Sequence, residues 1–88
     1  MAAGQHNEPS PDTFAALYDL IGTFNKTGTV VTPATRFAED LNFDSLIVME
    51  FVANVEDKFD ISVPLNLLPD IATVRDFGVA LEKLLAER

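Results

Sequence analysis

Few residues in this 88-residue chain are of a kind that carries chemistry, and most of those are poorly placed for it. There is no cysteine and one histidine, His6, so the chain offers no thiol nucleophile, no thiolate metal site and no histidine pair. His6 lies between Met1 and Pro9, a stretch without period, where a lone imidazole has no partner to make it a ligand or a base. The carboxylate pairs Glu39-Asp40 and Glu56-Asp57 are adjacent in sequence. On a helix, neighbours point about 100° apart, so neither pair converges on one proton. No glycine-rich phosphate loop and no metal-ligand spacing is present. The sequence therefore predicts no catalytic residue and no metal site, and the chain is expected not to be an enzyme.

One hydroxyl stands out. Ser45 follows Asp44 and precedes Leu46 where a loop gives way to a helical pattern. On spacing alone it reads as a helix cap or first-turn residue. The position also has a chemical use, because the free amides and positive dipole end of a helix favour an anionic group carried on that hydroxyl. On spacing alone the cap or first-turn reading is the favoured one.

The elements that must position Ser45 follow from apolar periodicity. Residues 1–10 are expected to be a flexible tail, and residues 11–86 one folded domain. Ser10-Pro11-Asp12 signals a helix start, and Phe14, Leu17, Tyr18, Ile21 and Phe24 form one apolar stripe. From Lys26 to Asn42, Gly28, Pro33 and several threonines break any period and predict a long loop anchored by Phe37 and Leu41. A second helix runs from Leu46 to about Asp60 with Val48, Phe51, Val52, Val55 and Phe59 inward and Ile47, Glu50, Asn54 and Asp57 outward. Ile61-Ser62-Val63 is followed by Pro64 and finds no second strand, so it is expected to be loop. Leu65 to Asp70 allows one or two helical turns whose leucines close over the core. Thr73 caps a last helix, in which Gly78 suggests a close helix crossing. The fold class is all-α, a bundle of three to four helices.

Six Lys and Arg stand against 14 Asp and Glu, a formal charge of −8 that disfavours nucleic acid and anionic lipid as partners. Seven of the acids (Glu39, Asp40, Asp44, Glu50, Glu56, Asp57 and Asp60) fall in one stretch with Lys58 as its only base. Such a run is either a solvated face or a docking surface for basic partners. No apolar run approaches the roughly 20 residues of a membrane span. The N-terminal residues lack the pattern of a secretory signal. A cytoplasmic monomer without stable membrane insertion is expected.

Phe43-Asp44-Ser45-Leu46, then Met49-Glu50-Phe51-Val52, then Val55-Glu56-Asp57-Lys58-Phe59-Asp60-Ile61-Ser62-Val63-Pro64, and finally Ile71-Ala72-Thr73-Val74-Arg75-Asp76-Phe77 form an ordered series. Over about residues 36 to 85 this series resembles the acyl carrier protein family. The resemblance implies a 4′-phosphopantetheine arm, taken from coenzyme A by a phosphopantetheinyl transferase and attached to Ser45, with acyl groups carried on its thiol. It implies that Asp44 assists the transferase and that Leu46 makes a contact at the start of helix 2. Ile47, Glu50, Asn54, Glu56 and Asp57 become the docking face for acyl-loading and acyl-using enzymes with basic patches. Val48, Val52, Val55, Phe59, Leu67, Leu68 and Ile71 become candidates for an acyl pocket, with plain core as their other reading. Two departures stand out: Ile47 occupies a position where the family commonly has an acid, and Leu65-Asn66-Leu67-Leu68-Pro69 is more apolar than the family's third helix. They favour a carrier dedicated to a specialised lipid or secondary-metabolite pathway, sphingoid-base synthesis among them, over a general fatty-acid carrier. An aminoacyl, peptidyl or polyketide carrier comes next. The alternative of another class is a helical interaction module that bears no arm.

Overall fold

The computed structural model describes residues 8–87; His6 and most of the expected tail lie outside them. Helix α1 (Pro11–Phe24) begins where Ser10 Oγ accepts the Thr13 amide at 3.3 Å, with Pro11 in the first turn where its missing N–H costs nothing. Leu17 and Ile21 are fully buried, and Phe14, Tyr18 and Phe24 pack around them. Helix α2 (Ser45–Phe59) buries Phe51, Val52 and Val55, while Val48 and Phe59 lie half-buried at the core edge. It ends at Asp60 in the left-handed region with φ 57°. Helix α3 (Val74–Glu87) buries Val74, Phe77, Gly78 and Leu81. Its start is a reciprocal cap. Thr73 Oγ1 accepts the Asp76 amide at 3.1 Å, and Asp76 Oδ2 accepts the amides of Ala72 and Thr73, each at 3.0 Å. Those amides, led by Ala72, hold the Asp76 carboxyl below its ordinary value.

Between α2 and α3 lies one 3-10 helix (Leu65–Asp70) with Pro69 inside it. None of its residues is buried and its N-terminus has no side-chain cap. The expected leucine lid is therefore partial: Leu68 packs on the core, Leu67 is half-exposed, and Leu65 points to solvent. The long loop from α1 to α2 is ordered by tertiary bonds. Its Phe37, Leu41 and Phe43 enter the core. Its backbone pairs with the start of α3 through Phe37 N–H to Ala72 O (3.0 Å), Val74 N–H to Thr35 O (3.0 Å) and Arg75 N–H to Pro33 O (2.9 Å). A single bridge, Arg36 with Thr73, is the only β-type pairing among the described residues.

Two expectations change. The reading of residues 1–10 as a flexible tail does not hold for its last three residues. Glu8 contacts Arg75 Nε at 2.9 Å, Pro9 is buried, and Ser10 donates its amide to Glu82 Oε2 at 2.8 Å. At Gly78 the tightest approach comes from Pro9 rather than from a neighbouring helix. A Cβ there would sit 2.7 Å from Pro9 Cγ and at an ordinary 3.6 Å from Leu17 Cδ1 of α1, so the glycine makes room for the N-terminal strap.

Candidate prosthetic-group attachment site

The helix cap falls to Asp44, not Ser45. Asp44 Oδ1 accepts the Ile47 amide at 2.9 Å and its carbonyl accepts the Val48 amide at 2.9 Å, which sets the first turn of α2. Ser45 is then the first helical residue, exposed, and among the described residues its hydroxyl makes no hydrogen bond. Helix geometry leaves the amides of this turn without carbonyl partners, and the dipole adds positive potential. A phosphodiester on Ser45 Oγ fits this position. The hydroxyl is disengaged, the local field suits the charge, and no side chain covers it. The loop before it is set by Asn42, which adopts φ 59°, and by Phe43, buried beneath with its amide bonded to Phe37 O at 2.9 Å. Ser45 thus rides on an anchored turn.

Beside Ser45 lies a shallow groove of about 400 Å³ between the start of α2 and the 3-10 helix, flanked by Met49, Leu65 and Pro69. Phe43, Val48 and Leu68 line this groove and also line a second, deeper cavity of about 260 Å³, so they form the wall between the two. The deeper cavity is largely aromatic, with Phe37, Phe43, Phe51 and Phe77 around it and Ile71 completing the apolar wall. Adjacent rings sit edge-on or tilted, 5.1 Å apart for Phe51 and Phe77 and 5.6 Å for Phe37 and Phe51. Its exposed rim is made by Ala38, Glu39 and Ala72.

Of the seven residues expected to line an acyl pocket, Val48, Leu68 and Ile71 line this cavity. Val52 and Val55 do not, because they are buried in the core at 4% and 0% exposure. Phe59 packs at the far end of α2, and Leu67 faces a separate groove along α3 with Val79, Lys83 and Leu84. The four cavity phenylalanines were absent from the expected lining. Two come from the loop, and only its backbone pairing to α3 brings them over α2.

On the expected docking face, Glu50, Asn54 and Asp57 are exposed on one side of α2. Two residues depart from expectation. Ile47 is half-buried against the core, and the exposed apolar side chains near Ser45 are Leu46 (67%), Met49 (47%) and Leu65 (58%). Glu56 is turned inward, its Oε2 accepting the Val63 amide at 2.7 Å, so it anchors the chain after α2 and offers little to a partner. Met49 and Leu65 have no sequence signal that separates them from core residues. Among the described residues no cluster of His, Cys, Asp and Glu is arranged to hold a metal, and no helix is long and apolar enough to cross a membrane.

Comparison with known proteins agrees with this geometry. The family described as "Phosphopantetheine attachment site" matches residues 15–81. The chain is 46% identical over 52 residues to an acyl carrier protein of Helicobacter hepaticus, covering 59% of this chain and 68% of that one. It is 39% identical over 66 residues to an acyl carrier protein of Sulfurovum, covering 69% and 88%. A solved structure described as an acyl carrier protein of Mycobacterium tuberculosis superposes with a TM-score of 0.70 at 27% identity, covering 85% of this chain and 96% of that one. The group implied is 4′-phosphopantetheine, and the role is that of a carrier, not an enzyme. An exposed serine on a capped helix start, the helical frame that anchors it and the match over residues 15–81 together place the chain in the acyl carrier protein family of phosphopantetheine-attachment domains.

Proposed function

We infer that Ser45 is the attachment point and that the chain presents acyl groups to enzymes of fatty-acid or specialised lipid synthesis. The observation that carries the assignment of Ser45 is that Asp44 performs the capping, which leaves the Ser45 hydroxyl exposed and unbonded. When bound, the prosthetic group supplies a terminal thiol that holds acyl groups as thioesters. The chain's own residues do the rest. The start of α2 offers its dipole to the phosphodiester. The groove at Met49, Leu65 and Pro69 gives the arm a surface to lie on, and the aromatic cavity beyond the wall of Phe43, Val48 and Leu68 shelters an apolar tail. Each methylene buried there contributes about 0.8 kcal/mol. Leu68 is the side chain of that wall that yields most readily, because it belongs to the 3-10 helix with no buried residue.

Glu50 and Asp57 steer basic partners onto α2, with Leu46, Met49 and Leu65 as the apolar contacts that hold them. Phosphopantetheinyl transferase is the first such partner, and acyl-loading and acyl-using enzymes follow. Apolar side chains close to the attachment point fit a dedicated lipid pathway, with sphingoid-base synthesis one such pathway. The chain acts in the cytoplasm, as a monomer.

Intact mass before and after incubation with coenzyme A and a phosphopantetheinyl transferase tests the assignment. A gain of one phosphopantetheine is expected in the parent protein and none in Ser45→Ala, whose melting midpoint changes by less than the equivalent of about 0.5 kcal/mol. Loading retained in Ser45→Ala overturns the attachment point. No loading of folded parent protein by a transferase active on another carrier favours an unmodified interaction module.

A further inference from the structure

The cavity and the groove beside Ser45 meet at a shared wall, but they open in different directions. Phe43, Val48 and Leu68 separate the two, whereas Ala38, Glu39 and Ala72 line the cavity alone and are exposed. The cavity therefore reaches solvent at a rim away from the attachment serine. Two of the three rim residues are alanines, the smallest side chains available to an L-residue.

The rim is held at a fixed width by backbone. Phe37 N–H donates to Ala72 O at 3.0 Å, the neighbouring pair Arg36 and Thr73 forms the bridge, and the Ala72 amide is taken by Asp76 Oδ2 at 3.0 Å. The third rim residue, Glu39, lies 3.8 Å from the guanidinium of Arg36 and keeps its charge outside the aromatic interior. The void itself is small. Its volume of about 260 Å³ exceeds the roughly 150 Å³ that admits a benzene-sized guest, but Phe51 and Phe77, 1% and 3% exposed, fill the space behind it as rigid rings. An apolar chain that enters past Leu68 cannot extend toward those rings. The direction left to it is the rim.

We propose that Ala38 and Ala72 form a second mouth, through which the distal end of a long acyl chain leaves the aromatic cavity, so that these two alanines set the longest chain the protein accommodates. The proposal rests on the reading of Ser45 as attachment point and of the cavity as acyl shelter. Short chains end inside the cavity. Long ones thread it and emerge between Ala38 and Ala72 beside Glu39.

The test uses the full chain bearing its arm, loaded with acetyl, hexanoyl, decanoyl or hexadecanoyl groups, and reads the thermal midpoint against the unacylated form. In the parent protein the midpoint is expected to climb by a few degrees for each methylene that enters and then to hold level through hexadecanoyl. Ala72→Leu and Ala38→Leu substitute exposed residues, and the bonds of Ala72 are made by its backbone and remain, so the unacylated forms should melt with the parent. Each should keep the hexanoyl gain and lose most of the hexadecanoyl gain, because the blocked chain is expelled. An unchanged hexadecanoyl gain in both variants overturns the second mouth. A midpoint that no acyl group shifts in the parent overturns the shelter itself, and loading that survives Ser45→Ala overturns the attachment point; the three failures are distinguishable.

Discussion

The side of the molecule where α1 meets α3 and the side that carries Ser45 are built by different means. On the first, the chain is cross-tied. Glu82 Oε2 accepts both the Ser10 amide (2.8 Å) and the Thr13 hydroxyl (2.7 Å), Glu8 contacts Arg75, and Pro9 fills the notch over Gly78 above a fully buried Leu17. On the second, the 3-10 helix has no buried residue and no side-chain cap, and Leu46, Met49 and Leu65 stand in solvent. Stability is concentrated where no partner is expected, and accessible surface where one is. A carrier needs both, because it must stay folded while presenting one face to many enzymes.

Substitutions on the two sides should separate accordingly. The largest effect is expected for Leu17→Ala, a loss of about 2–5 kcal/mol in chemical denaturation, since a fully buried leucine leaves a cavity. A loss below about 1 kcal/mol would mean that the α1–α3 side is not the stable one.

Glu82→Gln comes next, at about 1–2 kcal/mol, because a half-exposed carboxylate loses the charge that strengthens two hydrogen bonds. The Ser10 amide and the Thr13 hydroxyl hold the Glu82 carboxyl below its ordinary value. Its contribution is therefore complete above the unfolded glutamate value of about 4.3 and is lost as pH falls through the lower folded value. Melting midpoints from neutral to acid pH should fall more steeply in the parent than in Glu82→Gln. Parallel curves would remove Glu82 from the strap.

The glycines give a paired test of about 1 kcal/mol. Gly22→Ala meets nothing within 4 Å and should gain up to about 1 kcal/mol from helix propensity. At Gly78 the same methyl meets the Pro9 ring at 2.7 Å, and overpacking of about 1–3 kcal/mol should turn the gain into a net loss. Pro9→Ala should relieve it. The smallest change in stability belongs to Leu65→Ala, within about 0.5 kcal/mol at 58% exposure. Its loading by the transferase should nevertheless slow several-fold. An unaffected loading rate would take Leu65 out of the docking surface.

Much of this arrangement was legible in the sequence. The stripe of α1, the start of α2 at Ser45 and the Thr73 cap of α3 follow from period and capping chemistry, which act over a few residues. What escaped was non-local. Helical spacing places Val52 and Val55 on the inward face of α2, but it does not say whether the core fills the space before them; it does. The aromatic cavity needed Phe37 and Phe43 to fold back from a loop with no period of its own. The inward turn of Glu56 needed the Val63 amide, which its carboxylate accepts across the end of α2. The N-terminal strap escaped for the same reason, since Glu8 and Pro9 acquire meaning only beside Arg75 and Gly78.

The pairing of the first loop with the start of α3 also bears on how the chain reaches this state. The bonds from Thr35 and Phe37 to Val74 and Ala72 enclose all of α2 and the 3-10 helix, so closing them costs chain entropy that the helices, built from near neighbours, do not incur. The helices should collapse first and the loop should latch last. Because those bonds hold the rim of the aromatic cavity, the cavity would be the last part of the molecule to take shape, and the step most exposed to kinetic trapping would coincide with the step that closes it.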